Sequence, residues 1–207
     1  MLRNILVVFI VFFQSAAFAG AYEDALAAAA GDNIDALTEL VGRGLDPNTT
    51  DAEGHTLLAI AARGGNLRAV ELLLAHRASV NKRSRFGDTP LHLAALAGHV
   101  DVVERLLRAG ALTESSGWTA LHYAVFGGHG QIVSRLLTRD RALLDQRAPN
   151  GQTALMLAAK AGNFELLRQL LAAGADRTLR DFDGKDARQI ALEGGSTEID
   201  DILGSAR

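Results

Sequence analysis

Apolar and polar positions alternate along this chain in a unit that is clearest between Gly87 and Leu107, GDTPLHLAALAGHVDVVERLL. Thr89 suits a helix N-cap, because its hydroxyl can accept a bond from an orphan backbone N–H. Pro90 follows at the first helical position, where its missing N–H costs nothing. Leu91, Leu93 and the pair Ala94–Ala95 predict a short helix with small residues for close packing. Gly98 supplies the left-handed residue that ends it. Val102, Val103, Leu106 and Leu107 fall at i, i+1, i+4 and i+5, an apolar stripe on a second helix that ends near Gly110.

Such a helix pair cannot bury its apolar face alone, and the chain repeats it. Thr56, Thr89, Thr119 and Thr153 stand 33, 30 and 34 residues apart, and Asp186 takes the same place 33 residues later. A glycine precedes each by two residues: Gly54, Gly87, Gly117, Gly151 and Gly184. Another follows nine residues on: Gly65, Gly98, Gly128, Gly162 and Gly195. The second-helix pairs recur as Leu72–Leu73, Leu106–Leu107, Leu136–Leu137, Leu170–Leu171 and Ile202–Leu203.

A period near 33 with this content resembles the ankyrin repeat. DTPLHLAALAGH at 88–99 and WTALHYAVFGGH at 118–129 carry the resemblance best, and it extends from about Ala21 to the end. The resemblance implies an all-α solenoid of five to six helix-turn-helix repeats with short β-hairpin fingers. The repeats are expected at 52–85, 86–116, 117–150 and 151–183, between polar caps at 21–48 and 184–207. Terminal repeats keep one face in water, which suits the acids at Glu23, Asp24, Asp32 and Asp35 and at Glu198, Asp200 and Asp201. One link departs from the pattern. Gly110 to Gly117 is seven residues, where Gly174 to Gly184 is ten, so the finger before Trp118 is expected to be truncated.

Residues 1–19 read as a separate segment. Arg3 precedes nine uninterrupted apolar residues, Ile5–Phe13, and Ala17-Phe18-Ala19 forms a small-residue cleavage site. This is the pattern of a secretory signal peptide cleaved after Ala19, leaving the repeat domain at 20–207. The apolar run is too short for a stable membrane anchor. Export to the periplasm is expected, with secretion as the alternative.

Composition narrows the chemistry. Apolar residues make up 48% of the chain and aromatics only 5%, so the core is built from Ala, Leu and Val. The net charge of −3 is too mild to call for nucleic acid or an anionic membrane. The chain has no cysteine, which excludes disulfides, thiolate metal sites and a cysteine nucleophile. Four of the six histidines, His92, His99, His122 and His129, recur with the repeat and read as structural; His55 and His76 are isolated. No set of acids, histidines or hydroxyls converges on a catalytic pattern. No catalytic residue, cofactor or metal site is expected.

What remains is surface. In the family this chain resembles, fingers and first helices line a concave groove that binds other proteins. The corresponding positions include Arg63, Arg85, Phe86, Asp88, Leu96, Trp118, Phe126 and Lys160. Phe86, Leu96, Trp118 and Phe126 are apolar where the repeat does not require it. Exposed aromatic patches mark interfaces, although Trp118 and Phe126 would also fill the gap of a short finger. Lys82, Arg83 and Arg85 add a basic cluster beside Phe86. The expected function is a non-catalytic protein-binding module, monomeric when free. Resemblance to exported bacterial ankyrin proteins implies binding and inhibition of an exported hydrolase, such as a cell-wall peptidase or phospholipase. Support of a periplasmic stress-defence enzyme and action as an effector on host proteins are the alternatives.

Overall fold

The computed structural model of the protein describes residues 20–113, 117–195 and 202–203. The signal segment at 1–19, three residues of the short link at 114–116 and the cap acids Glu198, Asp200 and Asp201 lie outside them.

The chain forms short helices in pairs. α1 spans 20–30 and α2 Ile34–Gly42. α3 (Leu57–Gly64) and α4 (Leu67–Ala75) form the next pair, followed by α5 (Pro90–Ala97) and α6 (Val100–Arg108). α7 (Ala120–Phe126) pairs with α8 (Gly130–Arg139), and α9 (Ala154–Lys160) with α10 (Phe164–Ala172). α11 (Ala187–Glu193) closes the series. A 3-10 turn at Arg141–Leu143 takes up the extra length of the fourth repeat. None of the described helices is long and apolar enough to cross a membrane.

The helices stack in two layers. α3, α5, α7, α9 and α11 lie side by side in one row, and α4, α6, α8 and α10 in the second. One continuous core of Ala, Leu, Val and Ile runs between them, from Ala25 to Leu203. The second-helix stripe predicted from the sequence is its outer wall: Leu73, Leu106, Leu136, Leu170 and Leu203 are all buried. The first helices use alanine where the rows press closest, as at Ala94–Ala95 and Ala158–Ala159.

Local chemistry fixes each helix end. Thr56, Thr89, Thr119, Thr153 and Asp186 are N-caps whose side-chain oxygen accepts the amide three residues on. In α5 and α7 the residue at that third position is a histidine. Its Nδ1 accepts the cap residue's own amide, closing a reciprocal box. Replacing Thr119 with Ala also deprives His122 Nδ1 of its 2.7 Å contact with the Thr119 hydroxyl. We expect a loss of about 1–2 kcal/mol in urea unfolding, most of it recovered by Thr119→Ser. Equal stability of the Ala and Ser variants would show that the hydroxyl does not act as a cap.

At the other end, Gly98 holds φ at +87°. A Cβ there would stand 2.5 Å from the His129 ring. That ring is a staple between repeats, since His129 Nε2 lies 3.0 Å from the Leu96 carbonyl. His99 Nε2 reaches the Arg63 carbonyl in the same way, and Asn66 Nδ2 donates to the carbonyls of Ala29 and Ala30. Each contact occupies carbonyls at the end of the preceding first helix that have no partner within it.

The fingers are tight turns more than strands. Asp51 N donates to His55 O at 2.9 Å, and Ser84 to Asp88, Ala148 to Gln152 and Asp181 to Lys185 repeat the bond. Among the described residues the only bridge pairing is Thr50 with Thr56. Backbone bonds tie neighbouring fingers from Arg85 N to Glu53 O and from Phe182 N to Asn150 O, and side chains add to them, as where Arg147 donates to the Arg180 carbonyl. Four-residue arms cannot support a longer ladder.

Candidate partner-binding face

The fingers and the row of first helices make one continuous face. Its side chains come from positions that the repeat leaves free. Phe86 and Phe126 are 73% and 65% exposed, large values for phenylalanine. Phe126 ends α7, and Phe86 sits at the tip of the second finger, its ring 6.5 Å from that of His55. Trp118 lies between them in sequence and is half-buried against the core. Its ring meets Phe126 edge-to-face at 5.4 Å and Tyr123 at 5.5 Å. Trp118 therefore both packs against the core beside Tyr123 and makes an edge contact with Phe126.

The other sequence-derived positions divide. Arg63, Arg85 and Lys160 are exposed, at the end of α3, on the second finger and at the end of α9. Leu96 is half-buried. Asp88 is turned to internal use, because its carboxylate accepts the Tyr123 hydroxyl. Burial and this bond to Asp88 together push the Tyr123 phenol well above its ordinary range.

Tyr123 was not singled out by sequence, yet it joins the whole cluster. It stands where the third repeat has Leu93 and the fifth Leu157. Its ring stacks on His92 at 4.8 Å and 13°. His92 is buried, and its Nε2 has no hydrogen-bond partner. The next repeat shows what is missing. His122 Nε2 lies 3.3 Å from the carbonyl of Gln152, on the following finger. Among the described residues, no such acceptor meets the His92 ring. The Thr89 amide can only donate, so His92 Nδ1 is the acceptor and Nε2 carries the proton. A buried donor without an acceptor costs about 1–3 kcal/mol.

Burial drives the His92 pKa down to about 4; the Asp88 carboxylate opposes this, while Arg83 and His122 add to it. Burial lowers His122 too, against the Gln152 carbonyl contact. Both rings are neutral and structural. Their chemistry is to hold the helix caps and to carry Tyr123 and Trp118 above them.

Two further exposed apolar side chains belong to this surface inventory. Phe182, 73% exposed, stands two residues before Gly184, as Arg85 does before Gly87. Leu112, 61% exposed, begins the short link. The repeat register alone could have flagged Phe182. An open cleft of about 570 Å³ lies elsewhere, between α1 and α2 beside Asp24, Glu39 and Arg43.

The family profile described as "Ankyrin repeats (3 copies)" matches residues 25–115, 78–146, 108–181 and 139–204. The chain superposes with a TM-score of 0.81 and 27% identity on a chain of a solved complex. That complex joins the Bd0816 predatory endopeptidase from Bdellovibrio bacteriovorus with immunity protein Bd3460. The match covers 89% of this chain and 98% of that one. The human ASB11 ankyrin repeat domain matches in fold, with a TM-score of 0.69 and 24% identity over 88% of this chain and 98% of its own. Among curated relatives, the NAD-capped RNA hydrolase NUDT12 of Homo sapiens is 35% identical over 71 residues. That stretch is 34% of this chain and spans only 15% of the relative.

Proposed function

Because the chain belongs to the ankyrin-repeat family, we propose that it is a non-catalytic immunity protein that binds and blocks an exported peptidase. The observation that carries this reading is the likeness, over nearly the full length of both chains, to a chain from an endopeptidase–immunity protein complex. The physical case agrees. A stacked solenoid is rigid, so binding costs it little ordering entropy. Its finger face carries Phe86 and Phe126 in the open, with Arg63, Arg85 and Lys160 on the same face. Aromatic and arginine side chains dominate binding energy at interfaces. The signal-peptide pattern at 1–19 supports export to the periplasm, the compartment where a cell needs protection from its own cell-wall peptidase.

The test is capture followed by titration. Mature protein from Gly20 is used as bait on native envelope extract, and the captured enzyme is then assayed with increasing bait. We expect one exported peptidase, its activity falling to a floor at one equivalent. A captured enzyme whose activity is unchanged or raised would replace inhibition with support. Capture confined to host-cell proteins would favour an effector.

A further inference from the structure

The first finger gathers a set of donor atoms that the partner-binding role does not use. Asp51, Glu53 and His55 stand at alternate positions of one tight turn. Their side-chain donors all lie within 4.8 Å of one another. His55 Nδ1 is 3.1 Å from Asp51 Oδ2 and 3.4 Å from Glu53 Oε2. A tetrahedral zinc ion bound at ordinary N and O distances holds its ligand atoms about 3.3 Å apart.

The turn holds these donors before any ion arrives. Asp51 Oδ1 accepts the amides of Glu53 and His55 at 2.9 and 2.8 Å, leaving Oδ2 directed at the ring. The His55 ring is buried, with Phe86 beside it. The Glu53 side chain is 60% exposed, which leaves a path for an ion and room for water. Glu53 is also held from behind, its carbonyl accepting Arg85 N from the second finger.

The fifth finger shows that the donor set, and not the turn, is special. Asp181 Oδ1 accepts the amides of Asp183 and Lys185 in the same way as Asp51. There the position of His55 is a lysine, whose Nζ pairs with Glu193 at 2.7 Å. The second finger has Ser84, Phe86 and Asp88 at these places, and the fourth Ala148, Asn150 and Gln152. One imidazole with two carboxylates occurs in the first finger alone among these four turns.

We propose that Asp51, Glu53 and His55 form a binding site for a divalent first-row transition metal of the zinc type, with water at the open position. A nitrogen donor argues against calcium and magnesium, which take oxygen ligands. Imidazole with carboxylate suits zinc and its neighbours. The site is independent of the immunity reading and stands or falls separately from it.

The test uses the purified protein with cobalt chloride as a spectroscopic probe and zinc chloride as competitor. One equivalent of cobalt should give the visible bands of a tetrahedral centre, and zinc should abolish them. Glu53→Gln removes an exposed ligand without touching the core and should weaken binding about tenfold or more. His55→Gln should abolish the spectrum, with circular dichroism confirming that both variants stay folded. Absence of binding at submillimolar cation would overturn the proposal and leave His55 as the internal partner of two acids. Binding that survives both substitutions would overturn it equally, because it would belong to other histidines.

Discussion

Lowering the pH from about 7.5 to about 5 is expected to cost the wild-type protein about 2 kcal/mol more stability than it costs a His92→Gln variant. The His92 pKa is about 4 in the folded chain, against an ordinary value of 6.5. Between those values the unfolded chain binds more protons than the folded one. Stability from this group is therefore complete above about pH 6.5, falls as the pH drops through the window, and levels off near about pH 4, at a total of about 3 kcal/mol. The effect belongs to burial. An imidazolium at this place would have one more donor in a site that already leaves Nε2 without an acceptor.

Glutamine is the right control, because it keeps the cap. At the same helix position in α11, Gln189 Oε1 accepts the Asp186 amide at 3.1 Å. Urea unfolding of both proteins across the window measures the difference. His122 shifts in the same direction and remains in both, so it cancels from the comparison. Parallel stability–pH curves for wild type and variant would refute the assignment. Tyr123 stacks on His92 and Trp118 packs on Tyr123, so acid should loosen the aromatic surface before the distant repeats open.

The helix caps were legible in the sequence because they are local. Thr89, Pro90 and Gly98 act on neighbours within four residues, and their spacing is the repeat itself. The core stripe was legible for the same reason, since Val102 through Leu107 show helical periodicity without help from elsewhere. The strands of the fingers were over-read, since a turn closed by one or two bonds suffices between Asp51 and His55. What sequence could not supply was contact across repeats. The bond from Tyr123 to Asp88 spans 35 residues. The pairing of the first-helix histidines depends on the following repeat, which supplies the Gln152 carbonyl to His122, while His92 Nε2 has no partner among the described residues. The same limit hid the first finger's donors. His55 looks isolated along the chain, but a turn brings its ring between Asp51 and Glu53. Of the apolar positions picked for a partner, Phe86 and Phe126 are exposed, while Leu96 and Trp118 are half-buried. Asp88 also makes an internal bond that sequence did not reveal, because its partner Tyr123 lies one repeat on.

The same distinction decides how binding variants should behave. Phe86→Ala and Phe126→Ala together are expected to weaken capture of the partner by roughly a hundredfold, about 3 kcal/mol, on the scale of interface hot spots. Their rings are mostly in water, so removing them should alter stability by only about 0.5 kcal/mol each. Trp118→Ala should behave differently. Its ring is half-buried against Tyr123, His122 and the core, so the substitution leaves a gap beside those rings. It should cost about 3 kcal/mol of stability, near the lower end for tryptophan truncation in a core. Any loss of binding it causes is then mixed with loosening of α7. The informative experiment pairs calorimetric affinity with urea unfolding for all three positions. Weak binding by a Phe86–Phe126 double variant of unchanged stability would place the partner on this face. Full-strength binding by that variant would remove the aromatic face from the interface and turn attention to Phe182, Leu112 and Leu192, the other large apolar side chains left exposed among the described residues.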